Sequence, residues 1–208
     1  FYFMSKNIIN LKKLLLSNPL MATVRFARYK FVSKMLSMDD AILDVGCGEG
    51  FSAFYYSKFC KSVTGIDIDK IKAKSWNEYK KPKINFLLFD ANQINKLKSK
   101  ANCIVNIDFI EHIEKKEGIQ FIKNCKKFLE SQKDKKSKML IIGTPSYYSR
   151  KYRAKHNLQI HKYEYKPDEL NEICKKFFSR TFMFTMNDEL VHTGFNKLGW
   201  YFFIICIL

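Results

Sequence analysis

With 208 residues and 47% hydrophobic content, the chain can bury one substantial core and is short for two full domains. Lys and Arg total 37 against 20 Asp and Glu, a formal charge of +17 that would attract phosphate-rich partners such as RNA, DNA or an anionic membrane surface. Only five of those cations are arginines (Arg25, Arg28, Arg150, Arg153, Arg180), so the planar, bidentate recognition that a built nucleic-acid site favours is scarce, and the charge reads as general lysine enrichment.

Along the chain, apolar residues at Ile8, Ile9, Leu11, Leu15 and Leu16 predict a helix over Ser5 to Ser17. Lys6, Lys12 and Lys13 interrupt its apolar patches, which argues against a secretory signal, and Phe1 in place of Met suits a truncated or non-native start. Asn18-Pro19 supplies a cap and a first-turn proline for a second helix bearing Arg25, Arg28, Tyr29 and Lys30. The period then changes. AILDVG is a short apolar strand, FSAFYYSKF has helical spacing, SVTGID is a strand and Asp69 to Tyr79 is polar and helical. INFLLFD, NCIVNID and KMLIIGT read as further strands, with a helix from about Lys115 to Leu129 and a solvated break at Ser131 to Lys138. Strands alternating with helices imply βαβ units and a mostly parallel sheet, and near-continuous apolar strands imply helices on both faces. A helix over Asp168 to Phe177 precedes the last two strands, RTFMFTM and WYFFIICI. Only a loop joins that pair, so they are expected to run antiparallel. The terminal GWYFFIICIL is too short to span a bilayer as a helix and suits a buried strand. Six cysteines without CxxC spacing, mostly within apolar runs, suggest a reduced, cytoplasmic protein.

Chemistry concentrates after the strands. ILDVGCGEG sets Gly46, Gly48 and Gly50 between the first strand and a helix, where a ligand needs close approach to the backbone. A dinucleotide fingerprint would put its third glycine at Phe51, and Asp44 before the loop would repel a pyrophosphate while attracting an ammonium group. DVGCGEG instead resembles the cofactor loop of class I S-adenosylmethionine-dependent methyltransferases, and later motifs keep that family's order. The resemblance covers about Ala41 to Leu208. It implies S-adenosylmethionine as cofactor, held by Asp44, Gly46, Cys47, Gly48 and Gly50. Asp67 with Ile68 would meet the ribose, Asp90 and Ala91 the adenine edge, and Ile107 and Asp108 the methionine portion. It also implies a Rossmann-like α/β fold: a seven-stranded sheet with an antiparallel last strand over residues 39–208, preceded by a helical extension over 1–38.

NIDFIEHIEKKEG presents Asp108, Glu111 and His112 within five residues of a strand end, and three readings stand side by side. His112, or a carboxylate paired with it, could take the proton of an attacking hydroxyl. Alternatively, Glu111, His112 and the later His161 could bind a divalent metal, since the cluster resembles that of the small-RNA 3′-end 2′-O-methyltransferases and of ubiquinone-biosynthesis O-methyltransferases; Asp108 stands where the first Glu would be. In the third reading the residues line the pocket without reacting. The long segment after the fifth strand carries His156, Asn157, His161, Tyr163 and Tyr165, and its length suits a lid or binding loop. MNDELVHTGF carries Asn187, Asp188, Glu189 and His192; it resembles a bacterial subgroup of methyltransferases associated with surface glycans or small metabolites, and it also suits a plain hairpin turn.

The expected reaction is O-methylation of a small hydroxylated acceptor, a sugar or an anionic metabolite, with Asp108, Glu111, His112, His161 and His192 around the reacting centre. Arg25, Arg28, Tyr29 and Lys30 would close over the acceptor. The alternatives are a metal-dependent RNA 2′-O-methyltransferase and a non-catalytic cofactor- or nucleic-acid-binding module, which would keep the glycine loop without needing the acid and histidine cluster.

Overall fold

The computed structural model describes residues 11–133, 136–153 and 159–208. Its apolar runs become strands at β1 (Ala41–Val45), β2 (Ser62–Asp67), β3 (Ile84–Leu88), β4 (Cys103–Ile107) and β5 (Met139–Pro145). All five lie parallel, β1 pairing with both β2 and β4 in register Leu43 to Thr64 and Leu43 to Ile104. Strand order is β3-β2-β1-β4-β5-β8-β6-β7, with β6 (Arg180–Asn187), β7 (Leu190–His192) and β8 (Tyr201–Ile207) antiparallel to their neighbours.

The sequence predicts seven strands and the sheet has eight. The added one is β7, three residues long. Asp188 adopts φ 50 beyond the end of β6 and folds the polar burst back onto that strand, pairing Asn187 with Leu190. Leu190, Val191 and His192 are too few to show a period-2 pattern, so such a strand is legible only from its partner.

Helices cover both faces. α1 (Leu11–Ser17) leads into α2 (Pro19–Lys34), where the Asn18 side chain accepts the Met21 N–H at 3.1 Å and Pro19 opens the first turn, as the sequence requires. α2 buries Val24, Ala27 and Val32 on the same face of the sheet as α3 (Phe51–Tyr56), and the Phe31 ring lies 4.3 Å from that of Phe203 on β8. On the other face α5 (Lys115–Ser131) buries Phe121, Ile122, Cys125, Phe128 and Leu129 at helical spacing, beside α6 (Pro167–Lys175). The stretch after β2 is a 3₁₀ turn, Lys72–Ser75, running into the single turn α4 (Trp76–Tyr79), shorter than its polar sequence suggests. All six cysteines are buried and unlinked. Among the described residues no helix is long and apolar enough to cross a membrane.

Candidate active site

The carboxyl ends of β1, β2, β3, β4 and β5 lie along one edge of the sheet, and each releases the chain into a turn that carries polar groups. This edge is where open α/β sheets hold ligands. After β1, the Gly46 and Cys47 amides both donate to Ile66 O, at 2.9 and 3.1 Å, which pins the loop to β2. Glycine is required at two positions. Gly46 (φ 74) and Gly50 (φ 96) are left-handed, and a Cβ would fall 3.0 Å from Phe109 at the first and 2.8 Å from Phe86 at the second. Phe86 is itself stacked on Trp76, whose indole N–H donates to Gly48 O at 2.8 Å.

Asp44 is buried beneath this loop and accepts the Ser52 hydroxyl at 2.5 Å. Burial pushes its carboxyl up to about 7, with Ser52 opposing the rise and the Asp67 charge adding to it. Asp67 accepts the Gly48 amide on one oxygen and the Asp69 amide on the other, each at 2.8 Å. Each oxygen keeps a second lone pair for a hydroxyl donor. Ile68 beside it is exposed. Asp90 accepts the Asn92 amide at 2.9 Å, capping a short 3₁₀ helix (Ala91–Lys96) with Ala91 buried at its start. Cys47 and Ile107 are also buried, and burial pushes the Cys47 thiol up.

After β4 the chain turns sharply at Asp108, which has φ 57. Arg28 of α2 places Nη1 2.9 and 2.7 Å from its two oxygens. The guanidinium lies 4.0 Å above the Tyr201 ring. Burial alone would raise the Asp108 carboxyl, yet Arg28 and then Arg25 hold it below the usual carboxylate range. Of the four N-terminal residues expected near the acceptor, Arg28 is therefore committed to Asp108, and Tyr29 packs among Phe51, Tyr55 and Tyr56.

A 3₁₀ turn, Ile110–His112, then brings Glu111 under the end of β5, where the Thr144 hydroxyl donates to it at 3.0 Å. Glu111 is 1% exposed, and burial followed by the Asp108 charge pushes its carboxyl up to about 8. Its carbonyl accepts the Lys162 and Tyr163 amides at 2.8 and 3.2 Å, fastening the segment after β5 against the turn. This brings His161 in, so that Glu111, His112 and His161 each offer a ligating atom within 4.8 Å of the others. The two imidazoles are edge to face at 5.1 Å.

The tautomers follow from the partners. His112 Nδ1 lies 3.2 Å from Ile160 O, a group that only accepts, so Nδ1 carries the hydrogen and neutral His112 keeps its lone pair on Nε2. Burial lowers the His112 pKa and favours that neutral form.

His192 belongs elsewhere. It lies on β7, four strands from β4 in the sheet order, and its Nδ1 is 3.1 Å from Thr185 Oγ1 within the hairpin. Asp188 forms the turn, and Asn187 accepts the Trp200 amide at 3.1 Å. His156 and Asn157 lie outside the described residues. Four contributors were not singled out from sequence for the site: Thr144, read as a strand end; Tyr201, read as core; and Arg153 and Glu164, whose pairing with His161 at 2.7 Å from Glu164 was hidden in a charged loop. The spacing of three between His161 and Glu164 was the available signal.

A family model described as a methyltransferase domain matches residues 42–132, fewer than half of the chain but including all of the turns after β1, β2, β3 and β4. Residues 42–132 are similar to that methyltransferase domain. The methyltransferase is an enzyme whose cofactor is S-adenosylmethionine. Solved structures of similar fold include the methyltransferase domain of the bacterial protein CtHen1, at 17% identity and TM-score 0.70 over 89% of this chain and 98% of that one. An S-adenosylmethionine-dependent methyltransferase from Archaeoglobus fulgidus aligns at 16% identity and TM-score 0.67, covering 94% and 99%. The N-methyltransferase NodS from Bradyrhizobium japonicum, solved with S-adenosylhomocysteine, aligns at 15% and TM-score 0.65, covering 93% and 89%. At these identities the likeness concerns the fold of the methyltransferase. No curated protein matches the sequence significantly.

Proposed function

We propose that this methyltransferase acts on a hydroxyl oxygen, in a small hydroxylated acceptor, at the Glu111–His112–His161 triad. The observation that carries the reading is the convergence of one buried carboxylate and two imidazoles within 4.8 Å of one another beside the end of β4. Bound S-adenosylmethionine supplies an electrophilic methyl group on a cationic sulfur. The loop from Gly46 to Gly50 would let that cofactor approach the backbone, Asp67 would offer two acceptor oxygens to the ribose hydroxyls, and Asp90 with Ala91 would border the adenine. Ile107 and Asp108 would border the methionine portion.

An alcohol is a poor nucleophile until its proton is drawn away, and a neutral imidazole is the group that can do so near neutral pH. His112 is held in that form, with Nε2 as the accepting atom. Burial pushes the Glu111 carboxyl up to about 8, so near neutral pH it can hold a proton and donate a hydrogen bond that orients an acceptor oxygen. The donor set also fits a divalent cation of the Mn²⁺, Fe²⁺ or Zn²⁺ type, held by Glu111, His112 and His161. Such an ion would polarise the acceptor hydroxyl. Asp108 is not in that set, because Arg28 takes both its oxygens.

The test is to incubate the protein with isotopically methyl-labelled S-adenosylmethionine and hydroxylated acceptors, and to locate the label in the product by mass spectrometry. Label on oxygen, lost in His112→Ala, is the expected result; label on nitrogen or carbon, or unchanged turnover in His112→Ala, would overturn it.

A second reading, methylation of an RNA 2′-hydroxyl, is favoured by the same triad together with the fold likeness to CtHen1 and to a small-RNA methyltransferase, HEN1, of which this chain covers 25%. It requires activity on RNA that disappears on chelation and RNA affinity that falls steeply with salt.

A further inference from the structure

Glu164 stands three residues beyond His161, and both side chains are buried, 5% and 8% exposed. Glu164 Oε1 lies 2.7 Å from His161 Nδ1 and 2.7 Å from Arg153 Nη1. Arg153 Nη1 also approaches His161 Nδ1, at 3.3 Å. These contacts place a hydrogen on His161 Nδ1. A guanidinium only donates, so if His161 Nδ1 accepted from Arg153 its lone pair would face the carboxylate oxygen at 2.7 Å, two acceptors in repulsive contact. With the hydrogen on Nδ1, both His161 and Arg153 donate to the same oxygen, Glu164 Oε1.

Arg153 is fixed in turn. Its Nη2 donates to Ser146 O at 2.8 Å, and the Ser146 amide donates to Trp200 O at 2.9 Å, tying the network to the end of β5 and the start of β8. Arg150 adds a weaker contact, its Nε 3.8 Å from Glu164 Oε2.

We propose that Glu164 is a positioning residue of the site: it holds His161 in the tautomer protonated at Nδ1, leaving Nε2 with its lone pair for the acceptor or a cation, and Arg153 locks Glu164 in that role. The inference rests on the triad reading above for what Nε2 does, and on hydrogen-bond geometry alone for which nitrogen is protonated. A carboxylate behind an imidazole increases its strength as a base or ligand, and loss of such a partner typically costs about 10 to 100-fold in metal affinity or activity. The arrangement gives His161 a full carboxylate, where His112 has only the Ile160 carbonyl.

The test uses the whole chain without cofactor, labelled with ¹⁵N in histidine. A long-range proton–nitrogen correlation spectrum, with His161 assigned from the signals lost in His161→Asn, reads the tautomer directly. The expected wild-type result is a protonated Nδ1 and a bare Nε2. Glu164→Gln should mix the two tautomers and weaken Mn²⁺ binding, followed by calorimetry, about tenfold. Protonation of Nε2 in the wild type would overturn the inference, as would a Glu164→Gln protein whose tautomer and Mn²⁺ affinity are both unchanged. Should Glu164→Gln fail to fold, the wild-type spectrum alone decides. Absence of Mn²⁺ binding by the wild type would count against the cation-holding part of the triad reading, and the tautomer spectrum would still decide the role of Glu164.

Discussion

Arg28 and Asp108, eighty residues apart, are joined by contacts of 2.9 and 2.7 Å from one guanidinium nitrogen to both carboxylate oxygens. The pair connects the N-terminal helix α2 to the turn that delivers Glu111 and His112. It also removes Asp108 from the reacting groups with which its sequence position associates it. A carboxylate at φ 57, below the usual pKa and already paired, orients the turn and sets the charge felt by Glu111.

Breaking the pair from one side should be costly. Arg28→Met leaves a mostly buried carboxylate uncompensated, and removing one partner of such a pair typically costs about 3 kcal/mol or more. Urea unfolding should show a lowered midpoint with an unchanged slope. The double variant Arg28→Met, Asp108→Asn should recover much of the loss, because it removes the stranded charge; a double variant no more stable than Arg28→Met would show that the helix packing, not the pair, carries the effect.

The buried acids give the stability a distinctive pH profile. Glu111 has an ordinary value of 4.5 and is pushed up to about 8, so the folded state binds its proton more tightly than the unfolded chain does. That contribution is fully present below pH 4.5 and is lost as pH rises through about 8. Asp44, raised from 3.8 to about 7, acts in the same direction. Asp108 acts oppositely: its lowered value stabilises the fold above pH 3.8 and is lost in stronger acid. His112, held below its ordinary 6.5 by burial, acts against them until pH passes 6.5, so denaturant unfolding of the cofactor-free protein should weaken most clearly between about pH 6.5 and 8. Glu111→Gln should flatten that limb while changing little at pH 4, and an alkaline limb identical to wild type would refute the assignment.

The sheet was legible because each parallel strand is a short apolar run ended by a polar turn, and both faces of such a sheet are covered. The antiparallel pairing of β6 and β8 was legible from the length of the loop between them. β7 was not, since three residues have no period of their own. In the site, local clusters were readable and long-range partners were not. Glu111 and His112 are adjacent in sequence, and His161 stood out by chemistry. The choice of Arg28 for Asp108, and of Thr144 for Glu111, depends on how α2 and β5 pack, which no spacing encodes. His192 shows the converse: a conspicuous histidine whose hydrogen bonds are spent within its hairpin.

The three glycines of the loop should differ in tolerance. Gly48→Ala puts a Cβ at φ 55 no closer than 3.7 Å to Lys72 Cδ, so its cost should be that of the left-handed backbone, about 1 to 2 kcal/mol. Gly50→Ala adds a collision at 2.8 Å with Phe86, which cannot retreat without unstacking from Trp76. Calorimetric titration with S-adenosylhomocysteine should show a modest loss for the first variant and a loss beyond tenfold for the second. Equal affinities would mean that the Phe86–Trp76 stack yields easily.

The histidines separate catalysis from architecture. His112→Ala removes the proposed proton acceptor while leaving the glycine loop and Asp67 in place, so S-adenosylhomocysteine affinity should stay at the wild-type level while kcat falls by about 10² to 10⁴. His161→Ala should lower kcat as well, because it removes the second imidazole of the triad. His192→Ala should behave differently, since its ring contacts Thr185 and Asn187 on the far edge of the sheet: it should lower the unfolding midpoint slightly and leave kcat close to wild type. If His192→Ala instead abolished turnover with its affinity and stability intact, the β6–β7 hairpin would have to reach the acceptor, and the reacting centre would extend beyond the triad.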